Sequence, residues 1–178
     1  MTAAGWGRTS VRTLGGVVLI VLLVWGMNYV LVGRLIDDAL GTDHRNDTYT
    51  LAGHYRYFVD PSTLVLDLRR IDGAAPLDLF RGLFQSAKAM HDAERTFTRV
   101  ELARSGSPVF WMEGSAFGEM GTQFAMGENP VYLVRTLPEK LYRPSGEAAF
   151  GTWTGGLLGV ALRQMQDAKD AASEWAGN

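Results

Sequence analysis

The sequence predicts an α+β protein: a single N-terminal transmembrane helix, then one domain whose antiparallel sheet, in the order ββαββ…α, is covered by helices. Three observations carry this. Residues 14–33 contain no charge. Segments that alternate in steps of two flank a stretch of helical period, and the chain closes on a long amphipathic segment.

Residues 14–33 read LGGVVLIVLLVWGMNYVLVG, with Asn28 the only strongly polar side chain. As a helix rising about 1.5 Å per residue, the run reaches roughly 30 Å, the hydrocarbon thickness of a bilayer. A core helix would leave a polar face for water, and this run has none. It is longer than the apolar region of a cleaved secretory signal, about 7–15 residues, and its exit lacks an A-x-A-like site. A retained anchor is expected, with Leu14 and Val21 in the span, Trp25 and Tyr29 in an interfacial aromatic belt, and Gly33 at the exit.

Arg8 and Arg12 precede the run without an acid, while Arg34 and Arg45 follow it among Asp37, Asp38 and Asp43. The basic residues are nearly level on the two sides. The terminal amine and the ease with which long domains translocate favour a cytoplasmic N-terminus. The expectation is a bacterial inner (cytoplasmic) membrane protein with an extracytoplasmic C-terminal domain. Its parts are a short tail (1–13), the span (14–33), a tether (34–48) and a soluble α+β domain (49–178).

Beyond residue 33 stand all nineteen acids and fifteen of the seventeen Lys and Arg, a mildly acidic balance that sets nucleic acid aside as a partner. The chain has no cysteine, which excludes disulfides, thiolate-held zinc, iron–sulfur clusters and a thiol nucleophile.

In the soluble part, Tyr49, Leu51, Tyr55 and Tyr57 fall on one face of a strand, and Asp60-Pro61-Ser62 reads as the turn after it. Residues 64–71 form the second strand, with Leu64, Leu66 and Leu68 inward. Pro76 and Asp78 suit a helix start, and Phe80, Leu83, Phe84, Ala87 and Met90 make one apolar stripe. Residues 96–104 and 108–113 are two further strands around Ser105-Gly106-Ser107. Ser115 suits the cap of a short helix that Gly118, Gly121 and Gly127 weaken. The pattern leaves strand or helix open for residues 131–135. A final amphipathic helix carries Leu158, Leu162, Met165, Ala168, Ala172 and Trp175 on one side. Longin and roadblock modules have a similar element order, an analogy of order alone that carries no function.

Motifs that carry chemistry are missing. His44, His54 and His91 show no H-x-x-x-H or H-E-x-x-H spacing, and there is neither a G-x-S-x-G elbow nor a P-loop. Glu113, Glu119, Glu128 and Glu139 supply carboxylates, but a catalytic pair is defined by separation in space. No catalytic, cofactor-binding or metal-binding residue is assigned, and no cofactor is expected. The stretch 110–153 is instead dense in Gly, Met and aromatics, residue types that suit adaptable protein interfaces and equally fill a core. Phe110, Trp111, Asn129, Tyr132, Arg135, Trp153, Gly155 and Gly156 are the candidate contact residues.

The function these features favour is an anchored protein, held by the lipid bilayer, whose domain binds or scaffolds another membrane or envelope protein. Two other readings stand beside it. One is a membrane-tethered enzyme using carboxylates and a histidine on cell-envelope or lipid-linked substrates. The other is a lipid or small-ligand module with the uncharged residues 148–162 lying on the membrane.

Overall fold

The computed structural model describes residues 6–177. Helix α1 (Trp6–Asn28) passes through a π-helical turn (Tyr29–Gly33) into α2 (Arg34–Gly41), with helical backbone kept at Asn28, Gly33 and Arg34. Of the expected tail, residues 1–5 lie outside the described residues and the remainder, from Trp6, is helix. The expected tether is helix and a 3-10 turn (His44–Asn46) that pack into the domain. Among the described residues, Val18–Gly41 is the one helix long and apolar enough to cross a membrane.

That helix has two environments. The large apolar side chains from Val18 to Leu23, with Trp25 and Met27, are exposed. Burial begins at Asn28, and Val32, Ile36 and Leu40, at four-residue steps, belong to the main core.

Strands β1 (Tyr49–Arg56) and β2 (Asp60–Ile71) form one hairpin, α3 (Asp78–Asp92) crosses over, and β3 (Arg99–Arg104) with β4 (Ser107–Glu113) forms a second. The sheet order is β1-β2-β3-β4, and β2 pairs with β3 in parallel. The sheet is therefore mixed, not antiparallel. Period-two alternation fixes which face a side chain occupies and says nothing of neighbour direction, whereas a crossover helix returns the chain to the end where β2 began.

The first turn also moves. It lies at Tyr57-Phe58, not at Asp60-Pro61-Ser62, and Pro61 falls where β2 has no paired partner in either ladder, so its missing N–H is not needed. The second turn, Ser105-Gly106, is where the sequence places it.

One face of the sheet, bearing Leu51, Leu64, Leu66, Leu68, Val100, Leu102, Phe110 and Met112, is covered by α2, α3, α4 and α6. All five residues of the expected α3 stripe are buried there. Helix α2 lies so close on β1 that a Cβ at Gly53 would strike Ile36 Cδ1 and meet Val32 Cγ1 at 3.4 Å.

Helix α4 (Gly114–Ala125) follows β4 directly, with Glu113 and not Ser115 at the N-cap position and no side-chain cap bond there. Its glycines lower intrinsic helix propensity but permit close packing: a Cβ at Gly114 would strike the Phe97 carbonyl, and one at Gly121 would crowd the Ala87 carbonyl. The undecided stretch is helix α5 (Pro130–Thr136), with Pro130 in its first turn and the Asn129 side chain accepting from the Val131 amide at 2.9 Å.

Helix α6 (Leu157–Ala176) ends at Gly177 in the left-handed conformation. Its buried side is made by Ala168, Ala171, Ala172 and Trp175, small residues around one large anchor, while Leu162 is exposed. Trp175 stacks on Phe80 and donates its Nε1–H to the Ala103 carbonyl at 2.9 Å.

Candidate functional site

Among the described residues, no helix covers the second face of the sheet. Alternation places Thr50, Ala52 and His54 of β1 there, with Val65, Asp67 and Arg69 of β2, Arg99, Glu101 and Ala103 of β3, and Trp111 of β4. Its central acids are nevertheless buried, because long side chains fold over them. Glu101 lies 3.1 Å from Arg99 Nε and 3.6 Å from Arg56. Asp67 accepts from Arg69 Nε at 3.2 Å and from the Gly106 amide at 2.8 Å. The Arg99 guanidinium sits 4.0 Å over the Trp111 ring, and Tyr142 stacks beneath that ring at 4.5 Å. With its acids paired and its guanidinium and indole planes stacked, this face carries residue types that suit recognition.

Where α1 meets β1 there is an open groove of about 300 Å³ lined by Trp25, Asn28, Tyr29, His54, Phe58 and Arg69, among others. Asn28 is its floor. Its Oδ1 accepts from the Tyr55 amide at 3.0 Å and its Nδ2 donates to the Phe58 carbonyl at 2.8 Å. Trp25 and Tyr29 stack one helical turn apart, with centroids 6.4 Å apart. His54 stacks on Phe58 at 4.7 Å.

At the other end of α2 a polar cluster ties three elements together. Tyr49 donates to Asn46 Oδ1 at 2.6 Å, and Asn46 donates to the Leu40 carbonyl and to Gln85. Burial pushes the Tyr49 phenol up to about 12. The Arg45 side chain, through hydrogen bonds at 2.7–3.2 Å, holds the Asp43 carboxyl well below the usual carboxylate range. These groups satisfy one another, so the cluster acts as a latch.

The sequence-predicted contact residues fall in different places. Phe110 is in the core, beside Phe150. Trp111 is on the uncovered face. Asn129 caps α5, which carries Tyr132 and Arg135, and Tyr132 is exposed. Trp153, Gly155 and Gly156 precede α6, with Trp153 Nε1 donating to Asp167 at 2.6 Å and Arg163 over its ring. Of that set, Trp111 alone joins the aromatic and cationic face. The Arg56, Arg69 and Arg99 positions were missed because charged residues on alternating strand positions look like ordinary solvated ones.

The three histidines do not converge: His44 is in the 3-10 turn, His54 in the groove and His91 at the end of α3, 3.3 Å from Thr122. Glu113, Glu119 and Glu139 do line one shallow recess with Ser115 and Tyr142. Glu119, however, is paired with Lys140 at 2.9 Å and Glu139 accepts from Gln164 at 2.8 Å. Among the described residues no group of His, Asp and Glu is placed to hold a metal ion.

Comparison with protein-family models, with curated proteins and with solved structures finds no match.

Proposed function

We propose that the chain is a single-pass membrane-anchored protein whose extracytoplasmic α+β domain binds another membrane or envelope protein in an accessory or assembly role. The observation that carries this reading is the joining of two surfaces in one body. An apolar helix whose large side chains from Val18 to Leu23 are exposed runs without a break into the core of a domain whose second sheet face carries Arg69, Arg99 and Trp111, with Tyr142 stacked on the indole. Aromatics and Arg are the residue types enriched where proteins dock. The enzyme reading lacks a comparable support, since two of the three carboxylates that share a recess, Glu119 and Glu139, are engaged and the histidines lie elsewhere.

Photo-crosslinking residues at Thr50 and Glu113, on the uncovered face, test the proposal in the membrane-bound full chain. Both positions yield an adduct with the same protein, and Lys169 on the exposed side of α6 does not. Absence of a shared adduct overturns the reading.

A further inference from the structure

The hairpin tip between β1 and β2 carries Tyr57, Phe58 and Val59, three apolar residues in sequence, and all three are exposed. Tyr57 and Phe58 both have left-handed backbone, with φ of 52° and 62°. Two consecutive left-handed residues are what an Asn-Gly pair supplies most readily in hairpin turns, and a bulky residue there is strained. The second hairpin makes the comparison within the same sheet: its turn is Ser105-Gly106, also at positive φ, with small residues. Aromatic side chains at the first turn are thus held against local preference, which points to a role outside the fold.

The place of the tip supplies the role. Asn28 ties the Phe58 carbonyl and the Tyr55 amide to the helix at the level where burial of the helix begins. Counting 1.5 Å per residue, residues 14–27 reach only about 21 Å before that level, short of a hydrocarbon core of about 30 Å. The missing length, about 9 Å, is residues 28–33, which run alongside β1. A helix that spans with the whole apolar run therefore carries the tip below the membrane surface.

The tip is made for that environment. Phe58 and Val59 amides donate to the Tyr55 and Arg56 carbonyls, and Asn28 closes two further main-chain groups, so these six polar backbone groups are paired without water. Arg56 and Asp60, a cross-strand pair, flank the tip, and the Arg56 guanidinium lies 5.0 Å over the Tyr57 ring.

We infer that Tyr57, Phe58 and Val59 form a second membrane contact, a loop inserted among the lipid headgroups and upper acyl chains beside the spanning helix. The inference rests on the membrane reading above.

Because the chain has no cysteine, single probes are unambiguous. The full chain is reconstituted in phosphatidylcholine vesicles with an environment-sensitive dye at Val59→Cys, at Val21→Cys or at Asp47→Cys, and lipids spin-labelled near the top of the acyl chain are added. Dyes at 59 and 21 are quenched and the dye at 47 is not. A second variant, Tyr57→Asn with Phe58→Gly, relieves the turn, so its melting temperature equals or exceeds that of the parent, while quenching at 59 falls at least twofold and quenching at 21 persists. An unquenched dye at 59 with a quenched one at 21 overturns the inference and leaves the anchor standing. An unquenched dye at 21 overturns both. Quenching at 59 that survives the double substitution removes the aromatic pair from the contact and overturns the inference as stated.

Discussion

Replacing Asn28 by Ala strips the partner from two main-chain groups at once, the Tyr55 amide and the Phe58 carbonyl. Each buried polar group left unpaired costs about 1–3 kcal/mol, so unfolding of Asn28→Ala in mild detergent is expected to show a loss within or above that range. Asn28 stands out in the sequence as the only strongly polar residue of its run, but its partners lie 27 and 30 positions away, and no local pattern names them. Tyr49 gives a second expectation. Its folded-state pKa, pushed by burial from 10.0 to about 12, exceeds the unfolded value, so its stabilising effect is complete below about pH 10 and is lost as pH rises towards 12. Denaturant unfolding across that window shows the decline, and Tyr49→Phe flattens it. Asp43 behaves oppositely: its depressed carboxyl pKa gives stability that disappears as pH falls below the ordinary carboxylate range.

Among the elements, α2 changes most between what the letters suggest and what the fold does. Within residues 34–48 only the 8 residues of α2 are α-helical, about two turns that mix charge with apolar positions, too few for a helical period to stand apart from a linker. In the fold their apolar positions Ile36 and Leu40, with Val32 before them, are core. A chain beginning at Tyr49 therefore loses three buried side chains, each worth about 1.5–3 kcal/mol, and is expected to show no cooperative unfolding by circular dichroism, whereas one beginning at Met27 keeps them. Gly53→Ala tests the same junction from the strand side. Its methyl must displace Ile36, a packing conflict of about 1–3 kcal/mol readable as a lowered melting temperature. The α3 stripe was legible because a fifteen-residue amphipathic helix repeats its signal several times. Helix α4 was obscured by the glycines that let it approach the Phe97 and Ala87 carbonyls, since propensity and packing pull in opposite directions there.

At the scale of the molecule, the alternation of the four strands gave the two faces of the sheet, and the covered and uncovered sides follow from it. Strand direction was not legible, because it depends on where α3 delivers the chain. The candidate face was legible only at Trp111, since Arg56, Arg69 and Arg99 become a patch solely when three strands lie side by side. On the proposed reading, the unbroken passage from α1 through the π turn to α2 has a consequence for how the molecule would search for the proposed partner. A body on a leash tumbles about three axes. One carried on a stiff shaft rooted in a bilayer turns about the membrane normal alone, with its outward face kept at constant latitude. Collisions within that plane then have a single angle left to match, and the entropy of the other two has been surrendered before the encounter begins.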